Sequence, residues 1–222
     1  MKLARKIVAL TAIGLAVLTA VAAWRFDALK SIATAVCAER PSIADLMQTV
    51  PLGEKSLGEA SAPIIMIEYA SLTCSHCARF ARNVYPVLKS WYIETGKVRY
   101  VIREAPTDPL ALAAAALARC VDDEKYFDFV DALFSTQADW AFAHDPKVAL
   151  LRVAKQAGIT EQSFEEALAN QQTLDGLEWV AHRARENFCV DGTPTFFING
   201  MIHRGEISVD GLDKLLQPYL KI

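Results

Sequence analysis

The sequence predicts an α/β fold in which strands lie toward the two ends of a folded body and an all-helical insertion fills its middle. Three observations carry this. The apolar run IIMIEYA at 64–70 feeds almost directly into a helical pattern, and 98–103 reads as a second strand after it. Strand signals then vanish from Pro109 to Phe188. They return at 195–198 and 201–204, joined by Asn199-Gly200, and Asn-Gly between two apolar runs is the strongest short hairpin signal.

The N-terminus comes first. Lys2, Arg5 and Lys6 precede an uncharged run over 7–24, which is the charged and apolar pattern of a secretory signal. Ala20-Val21-Ala22 or Val21-Ala22-Ala23 offers small residues for cleavage. The run is also near the lower limit for spanning a bilayer, so residues 1–24 read as a signal peptide or an N-terminal membrane anchor. Under either reading the basic flank stays inside and the chain from Arg25 onward is exported, to the periplasm or its equivalent. A composition of 53% apolar and 22% charged residues is globular. The export segment holds three basic residues and no acidic one, so 23 − 3 leaves 20 basic against 26 acidic side chains. That balance argues against a nucleic-acid partner. Five cysteines in an exported chain permit disulfides, and the odd count leaves one over.

Residues 25–60 read as a linker. A short helix is expected within it over 42–50, capped by Ser42, with Ile43, Leu46, Met47 and Val50 on one face and Pro51, Gly53 and Gly58 after it. Cys37 lies in this linker. The bulky Val36 before it argues against lipid attachment, which leaves an intermolecular disulfide or an idle thiol. The main domain is expected over 61–222. Its strand 64–70 is nearly continuous in apolar residues, hence central and buried on both faces, with Glu68 as the interruption. After it, Phe80, Val84, Val87, Leu88 and Trp91 recur at helical spacing to Thr95, with a kink at Pro86. Gly96 ends that helix, so strand, helix and strand form a parallel βαβ unit. Helices follow over 110–121, 124–137, 146–157 (Asp145 as cap, Pro146 at its first position), 160–170 and 173–186. They make 107–187 an insertion between 61–106 and 188–222. Ser208 or Asp210 caps a last helix over 211–220.

The chemistry concentrates at Cys74-Ser75-His76-Cys77. Two cysteines with two residues between them at a strand-to-helix junction suit reversible thiol–disulfide exchange. Cys74 sits where free N–H groups and the helix dipole stabilise a thiolate, and Cys77 lies a turn further in. A structural disulfide or a metal site is the alternative, and zinc fits poorly because neither a second CxxC nor a closely spaced His pair exists. His76 would favour the Cys74 thiolate as a positive or hydrogen-bonding neighbour. Glu68 in a buried strand is costly unless paired or protonated, which suggests a proton relay for Cys77. The alternative is a strand-end acid reaching solvent. His144, His182 and His203 are scattered and read as surface or loop residues. Phe127, Phe129, Phe134 and Trp140 read as helical core, some of it bordering the active-site groove.

From Ala60 to Ile222 this order of parts resembles the thioredoxin fold with a helical insertion, as in DsbA-like thiol oxidoreductases of bacterial envelopes. CSHC carries that family's His before the second cysteine and departs from its usual pattern with Ser75 in place of proline. Gly192-Thr193-Pro194-Thr195-Phe196 resembles the family's cis-proline loop, and TPTFFINGMIHRG its closing hairpin. Glu68, six residues before Cys74, matches the buried acidic position. The resemblance implies catalytic roles for Cys74, Cys77, His76 and Glu68. It implies a cis Thr193–Pro194 bond that presents Thr193 to an extended substrate, and a structural Cys120–Cys189 disulfide. Neither cofactor nor metal is implied. The expected function is an exported thiol:disulfide oxidoreductase, mainly an oxidase of reduced, unfolded secreted proteins, itself reoxidised by a quinone-linked membrane thiol oxidase. An isomerase or reductase is the alternative, and a non-catalytic peptide-binding module a further one. Thr before the cis-proline is common in isomerase-type relatives, although residues 25–60 are too short for the dimerisation domain those relatives carry.

Overall fold

Strand β2, Ile64–Ala70, is sandwiched by apolar side chains from both faces, which is why its sequence shows so little alternation. In the computed structural model, which describes residues 41–220, it is the middle strand of a five-stranded mixed sheet. The spatial order is β1 (Lys55–Leu57), β3 (Val98–Glu104), β2, β4 (Thr195–Ile198) and β5 (Met201–Arg204). β2 runs parallel to β3 and antiparallel to β4, while β1 and β5 close the edges antiparallel.

Because side chains alternate along a strand, the register sorts the sheet into two faces. Ile64, Met66, Tyr100, Ile102, Phe196 and Ile198 pack with the helices on one side. Ile67, Tyr69, Val101 and Phe197 pack on the other. Glu68 shares the parity of Met66, so its carboxylate is committed to the first face. That face is covered by α2 (Ser75–Asn83) and by the inserted helices α4 (Pro109–Cys120) and α5 (Asp123–Ser135). The second face is covered by α1 (Ile43–Leu46) and the long α9 (Gln171–Phe188), which contributes Val180, Ala184 and Phe188.

Between β2 and β3 the helical pattern is broken rather than kinked. α2 ends at Asn83 with Val84 as its C-cap, α3 (Tyr85–Leu88) takes Pro86 into its first turn, where the missing N–H is not needed, and Lys89–Ile93 winds as a π-turn. The insertion continues through α6 (Gln137–Ala141), α7 (Pro146–Gln156) and α8 (Glu161–Ala169) before α9. Two of its capping residues are those the sequence indicates. Asp145 accepts from Val148 N–H at 3.1 Å and Thr160 from Ser163 N–H at 3.0 Å. The last helix, α10 (Val209–Leu220), has Ser208 accepting from Gly211 N–H at 3.1 Å.

The expected linker is corrected in part. Ser42 caps α1 through Asp45 N–H at 3.0 Å, as anticipated, but Lys55–Leu57 is a strand paired with β3. A strand of three residues is too short to show a period. Gly58, at φ +91°, could not carry a side chain, because a Cβ would collide with the Val98 carbonyl. The signal or anchor reading of 1–24 and the readings of Cys37 lie outside the described residues. Among the described residues no helix is long and apolar enough to cross a membrane.

A buried ionic knot ties the insertion to the sheet. Arg119, at the end of α4, donates two hydrogen bonds to Glu104 of β3 at 2.5 and 2.6 Å and others to the Leu52 and Gly53 carbonyls at 3.0 Å. Tyr126 of α5 donates to the same Glu104 carboxylate at 2.7 Å. Both charged side chains are nearly dry, at 6% and 5% exposure. Removing one partner leaves the other charged and unpaired. Arg119→Ala is therefore expected to destabilise the protein by about 3–5 kcal/mol in urea unfolding.

Candidate active site

The turn from β2 into α2 is held from three directions. Ser71 Oγ lies 2.9 Å from Thr107 Oγ1, and Thr73 Oγ1 donates to Asp108 at 2.5 Å. Asp108 also caps α4 through Ala111 N–H at 2.8 Å. From the insertion, the buried Gln137 donates to the Leu72 carbonyl at 2.8 Å and to the Cys74 carbonyl at 3.0 Å. Cys74 thus occupies the N-cap position of α2 on a fixed backbone, with no side-chain cap to compete for the helix's free N–H groups.

Those N–H groups act on the sulfur. Cys74 is half-buried, and its thiol is pulled down from 9.0 to about 5, first by a hydrogen bond from the Cys77 thiol. Burial opposes this, while the Thr193 side chain and the backbone N–H groups of Cys77 and His76 add to it. In its protonated state the Cys74 thiol donates to the Thr193 carbonyl at 3.2 Å. Ionisation gives up that bond and leaves the donors in charge. Cys77 behaves oppositely. It is fully buried, and burial, the hydrogen bond to Cys74 and the Glu68 charge push its thiol well above the ordinary value. The two thiols form a pair in which one proton stays on Cys77 and the charge rests on Cys74.

Glu68 lies behind them, 2% exposed. Burial raises its carboxyl from 4.5 to about 8, a Tyr100 hydroxyl donating at 2.5 Å works against that rise, and the Cys74 charge works with it. The strand-end acid reaching solvent is not what forms. The Thr193–Pro194 peptide is cis, and its loop is fixed by Thr195 Oγ1 donating to the Gly192 carbonyl at 2.7 Å and by Gly205 N–H donating to the Pro194 carbonyl at 2.9 Å. Antiparallel pairing of β4 with β2 brings this loop beside Cys74.

Two expectations change. The His76 imidazole lies 3.1 Å from Glu206 and 2.7 Å from Arg79, and Arg79 forks onto Glu206 at 2.7 and 2.9 Å. What His76 offers the Cys74 sulfur is its backbone N–H. The implied Cys120–Cys189 disulfide is absent. Cys120 carries a free thiol, exposed and turned back onto the Leu117 carbonyl of its own helix at 3.0 Å, while Cys189 is disulfide-bonded elsewhere. His144 and His182 are exposed, whereas His203 is half-buried near Phe196. Phe129, Phe134 and Trp140 are core, and Phe127 with Phe134 lines a small cavity beside Glu68. Among the described residues no three His, Cys, Asp or Glu side chains converge as metal ligands.

Sequence reasoning missed Gln137, Tyr100 and the Arg79–Glu206 fork. Arg79 stands one turn after His76, so that neighbour was legible. Glu206 and Gln137 reach the site only through tertiary folding.

The thioredoxin family profile matches residues 52–218. Crystallised alpha-DsbA1 of Wolbachia pipientis is 33% identical, with a TM-score of 0.71 covering 79% of this chain and 96% of that one. BdbD of Bacillus subtilis, 21% identical with a TM-score of 0.66, covers 76% of this chain and 94% of its own, and shares the fold. A Rickettsia conorii protein named "Putative protein-disulfide oxidoreductase RC0029" is 33% identical over 171 residues, 72% of this chain and 60% of that protein. A Rickettsia felis relative of similar name matches at 30%, over 74% of this chain and 59% of its own. The chain thus spans about three-fifths of the length of these curated relatives.

Two measurements follow from the electrostatics. In the reduced protein the thiolate absorbance at 240 nm should titrate with a midpoint of about 5, and Cys74→Ser should abolish that transition; a midpoint near 9 contradicts the geometry. For Glu68 the folded carboxyl binds its proton more tightly than the unfolded one. Its contribution to stability is therefore whole below pH 4.5 and is lost as pH rises to about 8. Glu68→Gln, which mimics the protonated form, should stabilise the protein relative to wild type increasingly across that window, by up to about 5 kcal/mol at its upper end. Parallel denaturation curves at pH 4.5 and pH 8.5 read this directly.

Proposed function

The chain belongs to the thioredoxin family, in its DsbA-like branch, and from that membership we propose that it is an exported thiol:disulfide oxidoreductase acting mainly as an oxidase. The observation that carries the direction is the stabilised Cys74 anion. Whatever favours the reduced pair makes the corresponding disulfide a stronger oxidant, because its reduction releases that stabilisation.

In this reading a substrate thiolate attacks Cys74 Sγ. The Cys74–Cys77 bond breaks, a substrate–Cys74 disulfide forms, and the electron pair leaves on Cys77, which takes a proton from Glu68. A second substrate thiolate then attacks the substrate sulfur and expels Cys74 as the thiolate. The substrate has lost two electrons to the cysteine pair and gained a disulfide. Thr193, whose carbonyl stands 3.2 Å from Cys74 Sγ, borders the sulfur where an extended chain can pair with its backbone. Substrates are reduced, unfolded secreted proteins in the periplasm, and a quinone-linked membrane thiol oxidase restores the disulfide. Residues 1–24 serve as signal or anchor.

The deciding experiment is the Cys74–Cys77 equilibrium with glutathione, paired with oxidation of a reduced model protein. A potential near −120 mV, the value of DsbA itself, with stoichiometric oxidation that disappears in Cys74→Ala, is the expected result. A potential near −270 mV, with recovery of a scrambled substrate instead, would assign the chain to the reductases and isomerases. Peptide binding that survives Cys74→Ala without any thiol exchange would make it a binding module.

A further inference from the structure

The sequence places an imidazole beside Cys74 as a positive or hydrogen-bonding neighbour, yet the contacts of His76 point to an uncharged ring. A guanidinium has N–H donors and no acceptor. The Arg79 Nη2 that stands 2.7 Å from His76 Nδ1 can only be donating to it. Nδ1 therefore keeps its lone pair, and the ring carries its proton on Nε2. Glu206 Oε2, 3.1 Å from Nδ1, is a second acceptor on the same Arg79 nitrogen, which it meets at 2.9 Å. A proton on Nδ1 would suit Glu206, but it would set N–H against N–H at the 2.7 Å contact. A fixed cation stands one turn further on. Arg79 lies three residues after His76 on the same face of α2. Glu206 also takes the Arg79 Nε–H at 2.7 Å, so the guanidinium is aimed although 42% of its side chain is exposed. Glu206 follows Gly205, whose N–H is tied to the Pro194 carbonyl at 2.9 Å, so the fork joins α2 to the cis-proline side of the site. The hydrogen bond and charge of Glu206 first, and the Cys74 anion after them, raise the guanidinium above its ordinary value. Arg79 thus feels the sulfur.

We propose that Arg79, aimed by Glu206, is the side-chain cation that the Cys74 anion meets, and that the neutral His76 ring is an acceptor that helps to hold it there. The inference rests on the redox reading above and adds a residue that sets how oxidising the disulfide is. When two glutathione thiols reduce the pair, two electrons enter the Cys74–Cys77 bond and one glutathione disulfide forms. Of the two protons released, one stays on Cys77 and the other goes to solvent, which leaves Cys74 as the anion. Arg79 touches neither sulfur. It acts through its field on that reduced product, a positioning residue added to the closer contacts from the Cys77 thiol, Thr193 and the backbone N–H groups.

The test compares the full chain as wild type, Arg79→Gln, Arg79→Lys, His76→Ala and Arg152→Gln. The last is a control that removes an exposed arginine on α7. The equilibrium constant for reduction of the disulfide by glutathione is measured at neutral pH in low and high salt, and the Cys74 thiolate of the reduced protein is titrated at 240 nm. Arg79→Gln should lower the constant about fivefold, the upper end for a partly exposed charge pair, and raise the thiolate midpoint to match. Arg79→Lys, which keeps the charge, should restore most of both. His76→Ala keeps the backbone N–H that serves Cys74 and should cost less than Arg79→Gln. Added salt should lower the constant more in wild type than in Arg79→Gln, because the lost interaction is one that salt screens. Arg152→Gln should behave as wild type. If Arg79→Gln leaves either quantity at the wild-type value, if the lysine restores neither, or if His76→Ala costs as much as Arg79→Gln, the inference falls. If the wild type exchanges no thiols at all, the oxidoreductase reading falls instead, and the 240 nm titration still decides whether Arg79 serves the Cys74 anion.

Discussion

The structure depends on a limit to negative charge. Cys74, Cys77 and Glu68 are three acids within one electrostatic neighbourhood at the end of β2, two of them almost out of reach of water. Burial disfavours every anion there, and each anion disfavours the next. The backbone N–H groups at the start of α2 favour charge at one place, the Cys74 sulfur. Placing the anion there leaves Cys77 and Glu68 holding protons. Reducing or oxidising the cysteine pair moves that charge, so redox change and proton transfer are coupled by geometry.

The scaffold keeps those distances. The sheet register sends Glu68 to the face covered by α2, and the insertion completes the enclosure from above. Gln137 grips the Cys74 carbonyl, Asp108 joins the catalytic turn to α4, and the Arg119–Glu104–Tyr126 knot fixes α4 and α5 against β3. The insertion is thus a structural part of the site. Without it Glu68 would face solvent, its carboxyl would ionise in the ordinary range, and the coupling would disappear.

Much of this was legible because it is local. The CxxC at a strand-to-helix junction, Glu68 in an apolar strand, the caps Asp145 and Thr160, and the Asn-Gly hairpin are all set by neighbours within a few residues. What failed to show depends on long-range contact. Lys55–Leu57 is a strand only because β3 offers it an edge, and Gln137 is an unremarkable joint residue until its amide meets the Cys74 carbonyl. The surroundings of His76 did not show for the same reason. Glu206, distant in sequence, draws the imidazole toward Arg79 and leaves the His76 N–H to act on the sulfur. The disulfide implied by resemblance placed Cys120 with Cys189, but a resemblance carries positions and not the direction in which a thiol points. Cys120 turns back along its own helix.

The same arrangement separates how far the reaction goes from how fast it goes. Stabilisation of the Cys74 anion acts on the equilibrium between dithiol and disulfide, and it comes first from the Cys77 thiol, then from the Thr193 side chain and the N–H groups at the start of α2. Glu68 holds a proton up to about pH 8, and in the proposed mechanism it acts on the barrier, by supplying Cys77 as it leaves. A residue that tunes one need not tune the other. Ser75 is exposed, next to Cys74 at the start of α2. The buried acid, by contrast, is enclosed by β2, β3 and the helices packed on that face of the sheet.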